Sequence, residues 1–148
     1  MNEVQTSSLV NLLLVEDNQA DIRLMRENLK AIQIPTHLEV VTDGEPALCF
    51  LRRQAPYENA VRPDFILLDL HLPRKDGFAV LRELEQDPGL RDIAVVVCLG
   101  SGLDAERVKE YHLPADCLFI KGYDPEALQK ILTNCRARTY SHSSDLTP

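Results

Sequence analysis

The chain has 148 residues and carries 16 Lys and Arg against 23 Asp and Glu, a formal net charge of −7. That length suits one domain of ordinary size, and the acidity argues against nucleic-acid binding, which needs clustered Lys and Arg to displace counterions. Apolar residues at 45% and charged residues at 26% describe a globular chain rather than a disordered one. Apolar stretches such as Ile93 to Leu99 fall far short of the roughly 18 residues that cross a bilayer. Met1-Asn2-Glu3 opens without the basic and apolar regions of a secretory signal. The expectation is a soluble, cytoplasmic domain with no nucleic-acid and no membrane partner.

In chain order, short apolar runs alternate with helical stripes. The runs are Leu12 to Val15, His37 to Val41, Phe65 to Leu68, Ile93 to Cys98, and Cys117 to Ile120. Three of them are nearly continuous, which predicts parallel strands covered on both faces. Between the first two, Ile22, Met25, Leu29 and Ile32 recur at helical spacing, with Asn18 placed to cap. Thr42 and Glu45 have capping-box spacing before a second helix. A third follows Asp76-Gly77 and carries Phe78, Leu81 and Leu84, and a weakly striped fourth spans Asp104 to Tyr111. Asp124-Pro125 starts a fifth, striped by Leu128, Ile131, Leu132 and Cys135. The order βαβαβαβαβα predicts a doubly wound α/β sandwich with right-handed crossovers. The polar ends, residues 1–8 and Thr139 to Pro148, are expected to fray.

The cysteines Cys49, Cys98, Cys117 and Cys135 form no CxxC, and no His stands beside them at finger-like spacing. They are expected to be buried, reduced thiols rather than a disulfide or a zinc site.

Open α/β sheets bind ligands beyond the carboxyl ends of their strands, where the strand order reverses. That rule singles out Glu16-Asp17 after the first strand, Asp69 ending the third, Leu99-Gly100-Ser101 after the fourth, and Lys121 ending the fifth. Taken singly, the three acids read as caps and loop residues. Brought together, two carboxylates about 5 Å apart repel by roughly 3 kcal/mol at an effective dielectric near 20. Either one stays protonated or a divalent cation sits among them, and oxygen-only ligands suit Mg²⁺ or Mn²⁺.

The acidic pair in Leu13-Leu14-Val15-Glu16-Asp17-Asn18, the block Ile66-Leu67-Leu68-Asp69-Leu70-His71-Leu72-Pro73-Arg74-Lys75-Asp76-Gly77, and Lys121 resemble the response-regulator receiver domain. The likeness covers about residues 10–136. It implies a flavodoxin-like (βα)5 fold with a five-stranded parallel sheet in the order 2-1-3-4-5, for which the chemotaxis receiver is a standard example. The domain is then 10–137, between an N-terminal tail 1–9 and a polar C-terminal tail 138–148. The spacing, with Tyr57-Glu58-Asn59 and Arg62-Pro63, is most similar to the small regulators of bacterial phytochrome kinases. The resemblance implies that Asp69 accepts a phosphoryl group from a sensor histidine kinase of phytochrome type. It implies that Asp17, Asp69 and the His71 backbone carbonyl ligate Mg²⁺, with Glu16 acting mostly through water and Mn²⁺ as a substitute. Lys121 then holds a phosphoryl oxygen; the Gly100 N–H is a candidate further donor, and Ser101 reads either as a substitute hydroxyl or as a solvated or helix-capping serine.

Two positions depart from the family pattern. Leu99 stands where Thr or Ser usually follows the phosphoryl group, and Leu118 stands where Tyr or Phe usually swings inward; strand alternation turns Phe119 to the other face. A hydrogen bond to a charged oxygen is worth roughly 1.5–3 kcal/mol, so its loss weakens the bias between states about tenfold to a hundredfold. His71 lies near the path of water towards a phospho-aspartate and either tunes its lifetime or contributes backbone alone.

Three functions compete. One is a stand-alone phospho-receiver, with at most self-catalysed phosphorylation and dephosphorylation, that signals through an output protein or a homodimer built on the fourth helix, fifth strand and fifth helix. The expectation is that no output domain follows the last helix, and the tail Thr139 to Pro148 does not match the longer aromatic-bearing segment of related phytochrome regulators, which counts against dimerisation. The second is a degenerate receiver that binds partners without phosphorylation, favoured by Leu99 and Leu118. The third is an aspartyl-phosphate phosphatase, which needs an acid where His71 stands.

Overall fold

The protein is described by a computed structural model that covers residues 9–100, 108 and 117–145. Five strands form one parallel sheet: β1 (Val10–Val15), β2 (Thr36–Val41), β3 (Phe65–Asp69), β4 (Ala94–Leu99) and β5 (Leu118–Ile120), in the order β2-β1-β3-β4-β5. This is the flavodoxin-like arrangement that the sequence predicts. Every residue of β3 is buried, as a central strand covered on both faces must be. Edge strand β2 instead alternates exposed and partly covered residues until Val41.

Among the described residues four helices flank the sheet: α1 (Gln19–Ala31), α2 (Gly44–Leu51), α3 (Gly77–Gln86) and α4 (Pro125–Asp145). Strand alternation divides the core in two. Leu13, Val15, Ile66, Leu68, Val97 and Leu99 face α2 and α3. Leu12, Leu14, Phe65, Leu67, Val96 and Phe119 face α1 and α4.

The cap of α1 is Asn18, whose side chain accepts from the Asp21 N–H. Asp124 accepts from the Ala127 N–H at 3.1 Å and opens α4 as its spacing predicts. The second helix differs from the capping-box expectation. Asp43, not Thr42, is its N-cap and accepts from the Gly44 N–H at 2.7 Å. Asp43 also accepts from the Lys75 N–H at 3.0 Å, a distant bond that local spacing does not reveal. The last helix runs on to Asp145 rather than ending before a frayed tail, because no Gly or Pro interrupts the backbone between Pro125 and Pro148. Cys98, Cys117 and Cys135 are buried as expected, but Cys49 is only half-buried. The predicted helix from Asp104 to Tyr111 lies outside the described residues except for Val108, which is buried.

Candidate functional site

Register assembles the site. Val15 pairs with Leu68, so the next residues, Glu16 and Asp69, emerge side by side from the adjacent carboxyl ends of β1 and β3. On the other side Asp69 pairs with Cys98, and Leu99 pairs with Ile120. The Lys121 N–H then donates to the Leu99 carbonyl at 2.8 Å, which brings the lysine back over the same edge.

Lys121 Nζ lies 2.9 Å from Glu16 Oε1, 3.1 Å from Asp69 Oδ1 and 3.1 Å from Asp21 Oδ2. Glu16 and Asp69 are only 2% and 3% exposed, so the ammonium neutralises charge that water cannot screen. Burial raises the Glu16 carboxyl above its ordinary value, with the Lys121 hydrogen bond pulling the other way and the Asp69 charge adding to the rise. Burial also works to lower Lys121. The hydrogen bond to Glu16, the Asp69 charge and the hydrogen bond to Asp21 outweigh it and hold the ammonium above its ordinary value. Three carboxylates share one cation.

Glu16, Asp17 and Asp69 each offer an oxygen, and these atoms all lie within 4.8 Å of one another. An oxygen-only donor set, two of its three acids buried, with more negative charge than Lys121 offsets fits a hard divalent cation. Asp17 is the exposed member, on the solvent side of the two buried acids. The His71 N–H donates to Asp69 Oδ1 at 3.3 Å and the Asn18 N–H to Glu16 Oε2 at 3.2 Å, so backbone orients both acids.

The other predicted residues fall around this centre. Gly100 is exposed, and a β-carbon built on it meets nothing within 4 Å, so space is open beside its backbone. Ser101 lies outside the described residues. Leu99 is buried in the cluster against α2 and α3, Leu118 packs on that cluster, and Phe119 turns into the opposite one. His71 is exposed.

Two site residues escape the sequence reading. Asp21 is a first-turn acid of α1 that local rules assign to the helix dipole. Asn28, 1% exposed, donates from Nδ2 to the Leu24 and Gly122 carbonyls at 3.1 and 2.9 Å. Its Oδ1 accepts from the Asp124 N–H at 2.8 Å. Asn28 thereby ties α1 to the turn that carries Lys121. Its signal was a polar side chain within the stripe between Met25 and Ile32.

Residues 12–133 match the model of the response regulator receiver domain. The chain is 43% identical over 121 residues to response regulator Rcp1 of Synechocystis sp., covering 82% of each chain. The solved Mn²⁺-bound form of Rcp1 superposes with a TM-score of 0.68 at 40% identity, covering 86% of this chain and 90% of that one. A phosphorylated cyanobacterial phytochrome response regulator, RcpA, gives 0.71 at 39% identity, covering 91% and 96%. The bacteriophytochrome response regulator AtBRR gives 0.79 at 32% identity, covering 86% and 93%.

Proposed function

The chain belongs to the response regulator receiver domain family, and from that premise we propose that Asp69 accepts a phosphoryl group from a sensor histidine kinase of phytochrome type. The observation that carries this reading is the contact of Lys121 with both buried acids at the switch point of the sheet. An Asp69 carboxylate oxygen is the attacking atom. It forms a new P–O bond as the P–N bond to the kinase histidine breaks, and the imidazole takes up a proton as it leaves. Transfer rests on positioning and charge neutralisation. Lys121 Nζ stays with the acid and takes a phosphoryl oxygen, while the Gly100 N–H and the Ser101 hydroxyl are the donors beyond β4. Asp17, Asp69 and the His71 carbonyl would hold Mg²⁺, or Mn²⁺, with Glu16 acting through water. When bound, that cation supplies charge neutralisation at the phosphoryl oxygens.

Output runs through protein–protein contacts, with a homodimer on the face of the predicted fourth helix, β5 and α4 as one form, and the setting is the cytoplasm. The likeness to the phytochrome regulators supports the kinase type. Leu99 and Leu118, both packed apolar side chains, make the switch atypical. They also favour the second reading, a module that binds its partner without phosphorylation.

Intact mass after acetyl phosphate, with and without Mg²⁺, tests the proposal. A Mg²⁺-dependent gain of one phosphoryl group that Asp69→Asn removes is the expected result. No adduct at any reaction time would overturn it in favour of the phosphorylation-independent module.

A further inference from the structure

Cys117 and Cys135 meet inside the core on the α1 and α4 side of the sheet. Cys117 immediately precedes β5, Cys135 lies ten residues into α4, and their sulfurs are 2.7 Å apart. Both are buried, at 6% and 1% exposure, among Phe119, Leu128, Ile131 and Leu132. The sulfurs are closer than two unbonded sulfurs ordinarily pack, and a short closure reaches the ~2.05 Å of a disulfide. The two remaining cysteines stand apart from the pair. Cys98 is buried beside the phosphoacceptor site, and burial pushes its thiol up to about 12. Cys49 lies on α2, across the sheet.

We propose that Cys117 and Cys135 are an oxidisable dithiol which hydrogen peroxide converts into an intramolecular disulfide, bracing β5 against α4. Cys117, the more exposed of the two, reacts first. Its thiolate attacks one peroxide oxygen, the O–O bond breaks, and the sulfur becomes a sulfenic acid as hydroxide leaves. The Cys135 sulfur then attacks the Cys117 sulfur, forming the S–S bond and expelling the hydroxyl as water. In total two thiols lose two electrons and two protons, and one peroxide becomes two waters. A small thiol reductant reverses the reaction by exchange. The brace joins positions 18 apart in sequence and closes a loop that contains all of β5 and Lys121. It does not depend on phosphorylation.

The full-length, unphosphorylated chain treated with hydrogen peroxide tests this by intact mass and non-reducing peptide mapping. Expected are the loss of two hydrogens, restored by dithiothreitol, and a tryptic species joining the peptides Glu110–Lys121 and Ile131–Arg136. The oxidised chain should also melt at a higher temperature, because the closed loop restricts the unfolded state. Cys117→Ala and Cys135→Ala should each abolish the joined species, and the wild-type map decides the matter if either variant fails to fold. Oxygen addition without a joined peptide, a link through Cys49 or Cys98, a link between chains, or a lower melting temperature would overturn the proposal.

Discussion

Gly77 stands so close to Asp69 that a β-carbon on it would lie 2.5 Å from the Asp69 carbonyl oxygen and 2.6 Å from Leu70 Cα. The Gly77 N–H also donates to the Leu70 carbonyl at 3.0 Å, folding the first turn of α3 back onto the end of β3. The Asp69 backbone is therefore held by a residue eight positions downstream.

Gly77→Ala should force that contact apart. Overpacking of this kind costs about 1–3 kcal/mol, and here the displaced atoms belong to Asp69 itself. A lower melting temperature together with slower phosphorylation by acetyl phosphate is the expected pair of results. An unchanged melting temperature would show that the turn relaxes without cost.

Asn28 predicts a separable effect on Lys121. Asn28→Ala removes part-buried hydrogen bonds to the Gly122 carbonyl and the Asp124 N–H, each worth about 0.5–1.5 kcal/mol. Loosening the turn after Lys121 should slow phosphoryl acceptance by about tenfold or more. Ile131→Val, which trims the same core without touching either bond, supplies the comparison. It should lower stability while leaving the rate unchanged, and equal slowing in both variants would reduce Asn28 to a packing role.

The Lys75–Glu83 ion pair sets a pH dependence away from the acidic centre. The Lys75 hydrogen bond holds the Glu83 carboxyl below its ordinary value, against some burial, and Arg52 at 3.3 Å assists. A lowered folded-state value means that stability is fully present above the unfolded value near 4.5 and is lost as pH falls through the folded one. Glu83→Gln should therefore cost under about 1 kcal/mol at neutral pH for this partly solvated pair. The difference from wild type in urea unfolding should shrink as pH drops below 4.5. A constant difference across that range would assign the effect to packing.

Leu99→Thr should restore a hydroxyl at the end of β4 at some expense to the core. Trimming a side chain that is 1% exposed costs at least about 1 kcal/mol. The gained bond to a phosphoryl oxygen, at roughly 1.5–3 kcal/mol, should enlarge the hydrogen-exchange difference between phosphorylated and unphosphorylated protein over β4 and β5. Equal differences in variant and wild type would mean that the hydroxyl is not what this receiver lacks.

The sequence by itself determined the strands, the helix starts at Asn18, Asp76 and Asp124, and the acids and lysine at the strand ends. Those features are local: an apolar run, a cap or a strand terminus is written in consecutive residues. It also separated Leu118 from Phe119, because alternation along a strand needs no tertiary information. Only the tertiary structure decided what those residues meet. Asp21 reaches Lys121 across 100 positions and Asn28 reaches Gly122 across 94, in each case from a helix whose own spacing explains the residue locally. Asp43 displaced Thr42 as a cap because it also satisfies the Lys75 N–H in a neighbouring loop. Cys117 and Cys135 carry no pairing signal in their spacing. They meet because one immediately precedes an edge strand and the other lies on the helix that covers it. Burial supplies the physical reason: a polar or sulfur atom removed from water must find its partner wherever the fold places one.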